Sequence, residues 1–68
     1  MFVACGVEIF IIWPNNTNNI SMKALSDNSI VNSTSGTATI KTLTATRNNS
    51  AGTITLTYGQ YATFIVIY

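Results

Sequence analysis

Thr53-Ile54-Thr55-Leu56-Thr57-Tyr58-Gly59-Gln60-Tyr61-Ala62-Thr63-Phe64-Ile65-Val66-Ile67-Tyr68 is the stretch whose reading decides the fold. Over Thr53 to Tyr58 apolar and hydroxyl side chains alternate without a break, so Ile54, Leu56 and Tyr58 share one face and Thr53, Thr55 and Thr57 the other. A period of two belongs to a half-buried strand, and a slip of one residue would expose Ile54 and Leu56 and bury three threonines. Gly59 and Gln60 supply a tight turn, the glycine taking a positive φ at little cost. Tyr61 to Tyr68 then returns with Ala62, Phe64, Val66 and Tyr68 on one face and Tyr61, Thr63, Ile65 and Ile67 on the other. Ile54, Leu56, Phe64 and Val66 are thereby expected on the inner face of a C-terminal hairpin. From Phe64 onward both faces are apolar, which predicts a last strand covered on both sides.

The same pattern recurs upstream. Thr37 to Thr46 reads as a strand whose inward set starts as Ala38 and Ile40 and continues as Leu43 and Ala45, and that change of parity predicts a bulge near Lys41 and Thr42. Arg47 to Gly52 is a polar loop. Ile20 to Leu25 is a strand with Ile20, Met22 and Ala24 inward, followed by a turn at Ser26, Asp27 and Asn28 and a short strand at Ile30 and Val31 that the polar Asn32 to Gly36 segment ends. Phe2 to Trp13 is apolar on both faces, as a strand sandwiched between layers or subunits would be. Pro14 and the Asn15 to Asn19 run break that ladder and read as a linker or wide turn. Helix signals are weak throughout, with no capping box and no sustained apolar spacing of three and four. The predicted fold is all-β, a small antiparallel β-sandwich or barrel of about six strands. Residues 1–68 form a single β domain in this reading: 1–13 an apolar N-terminal strand or arm, 14–19 a linker, and 20–68 an antiparallel sheet with the C-terminal hairpin.

Composition narrows the function. The 68 residues contain no His, only Glu8 and Asp27 as acids, only Lys23, Lys41 and Arg47 as bases, and one cysteine, Cys5. Catalysis draws on an activated nucleophile, a tuned acid–base pair or a metal cluster, so the chain is expected to be no enzyme and to hold no cofactor or metal. A domain this small buries only about 60% of its unfolded surface and commonly needs a staple. A lone cysteine cannot pair internally, which leaves association with other subunits. The 47% of hydrophobic and 7% of charged residues favour the same outcome, because an average domain carries about 25% charged residues. With a net charge of +1 and scattered basic residues, nucleic acid is not an expected partner. Met1 to Trp13 has no positive n-region, carries Glu8, and is short of the roughly 20 apolar residues of a spanning helix, so neither a signal peptide nor a membrane partner is expected.

Gly52 to Ile65, with its Thr-Ile-Thr-Leu strand, Gly-Gln turn and Ala-Thr-Phe strand, resembles the terminal hairpin of small β modules in tailed-bacteriophage virion proteins, of the fibre, tail-tip and head-decoration kinds. The turns Asn32-Ser33-Thr34-Ser35-Gly36 and Asn48-Asn49-Ser50-Ala51-Gly52 suit that pattern, and the resemblance covers the C-terminal half. It implies a structural virion component, made in the host cytoplasm and located in the virion. Such a part would act by subunit assembly with itself and with other virion proteins. The alternative is a carbohydrate-binding or adhesin-like module that recognises a host-surface glycan through the Asn15 to Asn19 and Arg47 to Gly52 loops.

Particular residues carry these expectations. Phe2, Val7, Ile9, Phe10, Ile11, Trp13, Ile65 and Ile67 are the candidate assembly interface, and Tyr61, beside the Gly59-Gln60 turn, is the candidate ligand contact. The threonine rows Thr37 with Thr39 and Thr53 with Thr55 and Thr57 read as a wet β face. Cys5, flanked by Ala4 and Gly6, reads as an inert buried thiol. Four Asn-x-Ser/Thr sequons at Asn15, Asn19, Asn32 and Asn48 follow from a composition rich in those residues. Glu8, among Val7, Ile9 and Phe10, is expected to reach solvent, to find Lys23, Lys41 or Arg47, or to face a subunit boundary.

Overall fold

The computed structural model describes residues 1–68. It contains eight strands: β1 (Phe2–Cys5), β2 (Glu8–Asn15), β3 (Asn19–Ala24), β4 (Ile30–Ser33), β5 (Thr37–Ile40), β6 (Leu43–Asn48), β7 (Thr53–Tyr58) and β8 (Ala62–Ile67). They form two four-stranded antiparallel sheets, β1-β2-β3-β4 and β5-β6-β7-β8, in which each strand pairs only with its neighbours in the chain. The chain is all-β, with eight strands rather than about six.

Both extra strands have one cause. Phe2 to Trp13 is not a single strand: it reverses at Gly6 and Val7, so that Cys5 lies opposite Glu8 and Val3 opposite Phe10. A two-residue turn leaves its two flanking residues on the same side of the sheet, so the inward set passes from Val3 and Cys5 to Phe10 and Ile12. The two apolar faces expected of one strand are the inner faces of two strands together with an apolar outer surface. Thr37 to Thr46 repeats this at Lys41 and Thr42, with Ile40 opposite Leu43. The change of parity there is a chain reversal and not a bulge. Lys41 takes a φ of 52°, a left-handed corner that costs an L-residue about 1 to 2 kcal/mol, and no glycine marks the position in the sequence.

The Pro14 to Asn19 stretch is the end of a hairpin and not a linker. Pro14 pairs with Ile20 and Asn15 with Asn19, and Asn16 turns the corner at a φ of 55°. Leu25 donates its N–H to Ile9 O, so the odd-numbered residues of β2 bond to β3 and the even-numbered ones face β1. Pro14 lies past the Met1–Ile12 pair, where its missing N–H breaks no ladder bond. Residues 1–13 are therefore no detached arm: β2 is paired on both sides, and Phe10 and Ile12 are fully buried.

The inner faces of the two sheets meet in one cluster of 13 buried side chains, from Val3 to Ala24 in the first sheet and from Ala38 to Leu56 in the second. The sheets approach closely where β3 lies against β5 and β6, and β4 against β5. The short link through Gly36 makes that corner, and a Cβ at Gly36 would stand 3.0 Å from Asn18 O in the β2–β3 turn. With a φ of 81° as well, only glycine fits there. On the other side β1 and β8 are the free edges of their sheets. The last strand is thus not covered on both sides: Phe64 and Val66 are half-buried at the margin of the core, while Ile65 and Ile67 are 66% and 86% exposed.

Leu56 is fully buried in the central strand β7, opposite Phe64 on the edge strand. Leu56→Ala should cost about 2 to 5 kcal/mol in urea denaturation, enough to unfold a domain of this size. Phe64→Ala should cost less than Leu56→Ala, reversing the order that side-chain size alone would give, and Thr55→Ser should stay within about 0.5 kcal/mol.

Candidate functional site

The outer face of the first sheet carries the apolar surface. Pairing sets Phe2 opposite Ile11, Ala4 opposite Ile9, Ile11 opposite Lys23, and Trp13 opposite Ser21. Phe2, Ile9, Ile11 and Trp13 are thereby brought together on one face, Phe2 being 75% and Ile9 45% exposed. Ile30, 55% exposed and opposite Lys23, extends the patch; its parity relative to the half-buried Val31 was the signal that could have placed it there. Ser21 is buried beneath this face, where its hydroxyl donates to Asn32 Oδ1 at 2.7 Å.

The other expected interface residues fall elsewhere. Val7 stands 99% exposed at the tip of the β1–β2 turn, and Ile65 and Ile67 lie on the outer face of β8. Phe10 is fully buried in the chain's own core and can contact no partner, because the turn at Gly6 inverted its parity.

The outer face of the second sheet is of a different kind. Thr39, Thr44, Thr57 and Thr63 stand side by side across all four strands, and Thr37, Thr46 and Thr55 form a second row that ends at Ile65. The hydroxyls of Thr39 and Thr44 are hydrogen-bonded at 2.9 Å. No charged side chain enters either row, and Asn48 opposite Thr53 begins a third that ends at Ile67, so this face is polar through uncharged groups.

Between the free edges lies an open cleft of about 610 Å³, with Ala4, Cys5 and Val7 on one wall and Tyr58, Ala62 and Phe64 on the other. Tyr61 stands at its mouth, 75% exposed, its ring 5.9 Å from that of Tyr58. Burial pushes the Cys5 thiol up from its ordinary value, which keeps it protonated and inert.

Two polar clips join the sheets at opposite ends of β3. At one, Arg47 Nη1 donates to Asn19 O at 2.8 Å and Asn16 O at 3.2 Å, Nη2 to Asn49 Oδ1 at 3.1 Å, and Nε to Tyr68 OH at 2.6 Å. Its guanidinium carbon lies 4.9 Å from the centre of the Tyr68 ring. The sequence places Arg47 in a polar loop and offers no sign of this role, since its acceptors lie up to 31 residues away. At the other end Lys41 Nζ meets Asp27 Oδ2 at 2.9 Å, and Ser29 donates its N–H and hydroxyl to Asp27 Oδ1. Lys41 and Arg47 are thus both engaged by other groups, and Glu8 Oε2 is buried without a hydrogen-bond partner.

Set beside protein-family models, curated proteins and solved structures, the chain matches none of them.

Arg47→Ala should lower the unfolding free energy by about 1 to 3 kcal/mol, and Arg47→Lys should recover little of it, because an ammonium lacks the planar fork that spans these acceptors. The Asp27 carboxyl is lowered from 3.8 to about 2, first by the Ser29 hydroxyl and then by Lys41. A lowered carboxyl stabilises the fold above its unfolded-state pKa and loses that contribution as pH falls through the folded one. Melting temperature should accordingly drop from about pH 4 toward about pH 2, and Asp27→Asn should flatten this part of the profile.

Proposed function

We propose that the chain is a non-enzymatic structural subunit that acts by assembling with copies of itself and with other proteins of a virion, as a capsid decoration, cement, fibre or tail-tip part. The observation that carries the assembly reading is the patch of Phe2, Ile9, Ile11, Trp13 and Ile30 on the outside of the first sheet. Phe2, Ile9, Ile11 and Trp13 adjoin one another and only Lys23 separates them from Ile30; apolar surface with so little charge is what a domain presents to a partner. The virion setting rests on the Gly52 to Ile65 hairpin, whose strand, turn and strand resemble the terminal hairpins of phage modules. In architecture we read the two sheets as a small β-sandwich closed at the β4–β5 corner and open between β1 and β8.

The second reading, a glycan-binding module, is favoured by one observation. Tyr61 is 75% exposed beside Tyr58 at the mouth of the cleft, and an exposed aromatic face suits stacking on a sugar ring.

Sedimentation velocity at micromolar concentration tests the first reading. The chain is expected to sediment as an oligomer, and the paired substitution Phe2→Ser with Ile9→Ser should weaken association while leaving the β-sheet circular dichroism unchanged, since both side chains face outward, with the melting temperature falling only by what association contributed. A folded monomer at every concentration overturns the assembly reading. Retention of that monomer on an immobilised glycan, lost in Tyr61→Ala, would establish the second.

A further inference from the structure

The four free strand edges are not alike. At the β4–β5 corner the edge of β5 is partly occupied: only Thr37 and Thr39 turn their backbone groups outward, Thr37 O accepts the hydroxyls of Ser33 at 2.6 Å and Ser35 at 3.3 Å, and β4 lies against β5. On the open side, Ile12 N donates to Met1 O, so the odd-numbered residues of β1 bond to β2 and only Phe2 and Ala4 turn their backbone groups outward. Tyr68 N donates to Gly52 O, which continues the β7–β8 ladder through Val66, Phe64 and Ala62. The N–H and C=O groups of Thr63, Ile65 and Ile67 therefore point away from β7 and toward solvent. β8 has the longer free edge, and from Ala62 to Ile67 it contains no charge, no proline and no glycine. Edge charges and edge prolines are devices by which natural sheets keep such an edge from pairing, and β8 has neither.

We propose that β8 pairs antiparallel with β8 of a second copy of this chain about a two-fold axis at Ile65, joining the two β5–β8 sheets into one continuous eight-stranded sheet. This deepens the assembly reading above and rests on it. The register follows from the free groups: Ile65 faces Ile65 of the second copy, and Thr63 faces Ile67 in both directions. All three outward residues then sit at hydrogen-bonded positions, with about six new N–H to C=O bonds. The pairing is isologous and closes on itself. On the outer face it covers Ile65 and Ile67, the two residues that interrupt the threonine surface. On the inner face Phe64 meets Val66 of the second copy, and both are only half-buried in one chain. Edge-to-edge pairing covers only the flanks of Ile65 and Ile67, so the seam buries less than the roughly 800 Å² per partner of a stable complex, and it is carried by the backbone bonds together with the Phe64–Val66 contact.

The 68-residue chain tests this directly. Ile65→Lys sets two ammonium groups opposite each other on the axis without touching the core; it should halve the sedimenting mass while the chain stays folded by circular dichroism, and its melting temperature should no longer rise with concentration. Ile65→Cys in a Cys5→Ala background should form an intermolecular disulfide on mild oxidation, because Cα atoms in such a pair lie about 5.5 Å apart. Thr55→Cys, one strand further from the axis, should not. If the unsubstituted chain is oligomeric, Ile65→Lys leaves its mass unchanged and Ile65→Cys fails to cross-link, the β8 seam is wrong while assembly through the Phe2–Trp13 face stands. A monomeric unsubstituted chain overturns both.

Discussion

Two four-stranded sheets share a single apolar layer, and everything else in this molecule depends on that shared burial. The first sheet brings Phe10, Ile12, Ile20 and Met22 to the layer and the second brings Leu43, Ile54 and Leu56, each fully buried only because the other sheet covers it. A four-stranded meander alone would leave one complete face of such side chains in water, at about 1.5 to 3 kcal/mol for each large one. Every strand pairing is local in the chain, so the contacts that must be won against loop closure are those between the sheets.

Polar groups then set how the two sheets sit on each other. Arg47 ties the β2–β3 turn of the first sheet to the Asn49 side chain and Tyr68 of the second. Asp27 and Lys41 tie the β3–β4 turn to the β5–β6 turn at the other end. Gly36 admits the close approach of backbone at the corner. Nothing comparable bridges β1 and β8, where the cleft opens. Few buried contacts and an unsatisfied edge make this the side of lowest local stability, and it is also the side that the proposed pairing would cover.

The outer faces divide the labour. Threonine rows keep most of the second sheet wet without charge, while the first sheet exposes Phe2, Ile9 and Ile30 around a single lysine, Lys23. The contrast arises from pairing, since side chains scattered over residues 2 to 30 become neighbours only when β1, β2, β3 and β4 align in register. On β8 both kinds of surface meet, with Thr63 continuing one row and Ile65 ending the other.

Strict alternation made the strand from Thr53 to Tyr58, the inward sets Ile20, Met22 and Ala24, and Ala38, Ile40, Leu43 and Ala45 readable in the sequence, because a period of two assigns a face wherever one side is dry and the other wet. What alternation cannot report is a reversal of direction. A two-residue turn shifts parity in the same way as a bulge, and at Lys41 there is no glycine to tell them apart. At Gly6 the glycine is present but flanked by apolar residues on both sides, so two strands imitate one that is buried twice, and Phe10 reads as an interface residue when it belongs to the core. The candidate interface was legible as a set of apolar residues, though not as a place: Phe2, Ile9, Ile11 and Trp13 become one patch through register, and Ile30 joins them from a strand 17 residues beyond Trp13. The roles of Arg47 and of the Asp27–Lys41 pair came from tertiary structure alone, since a hydrogen bond between turns of different sheets depends on how the sheets are stacked, which no local periodicity encodes.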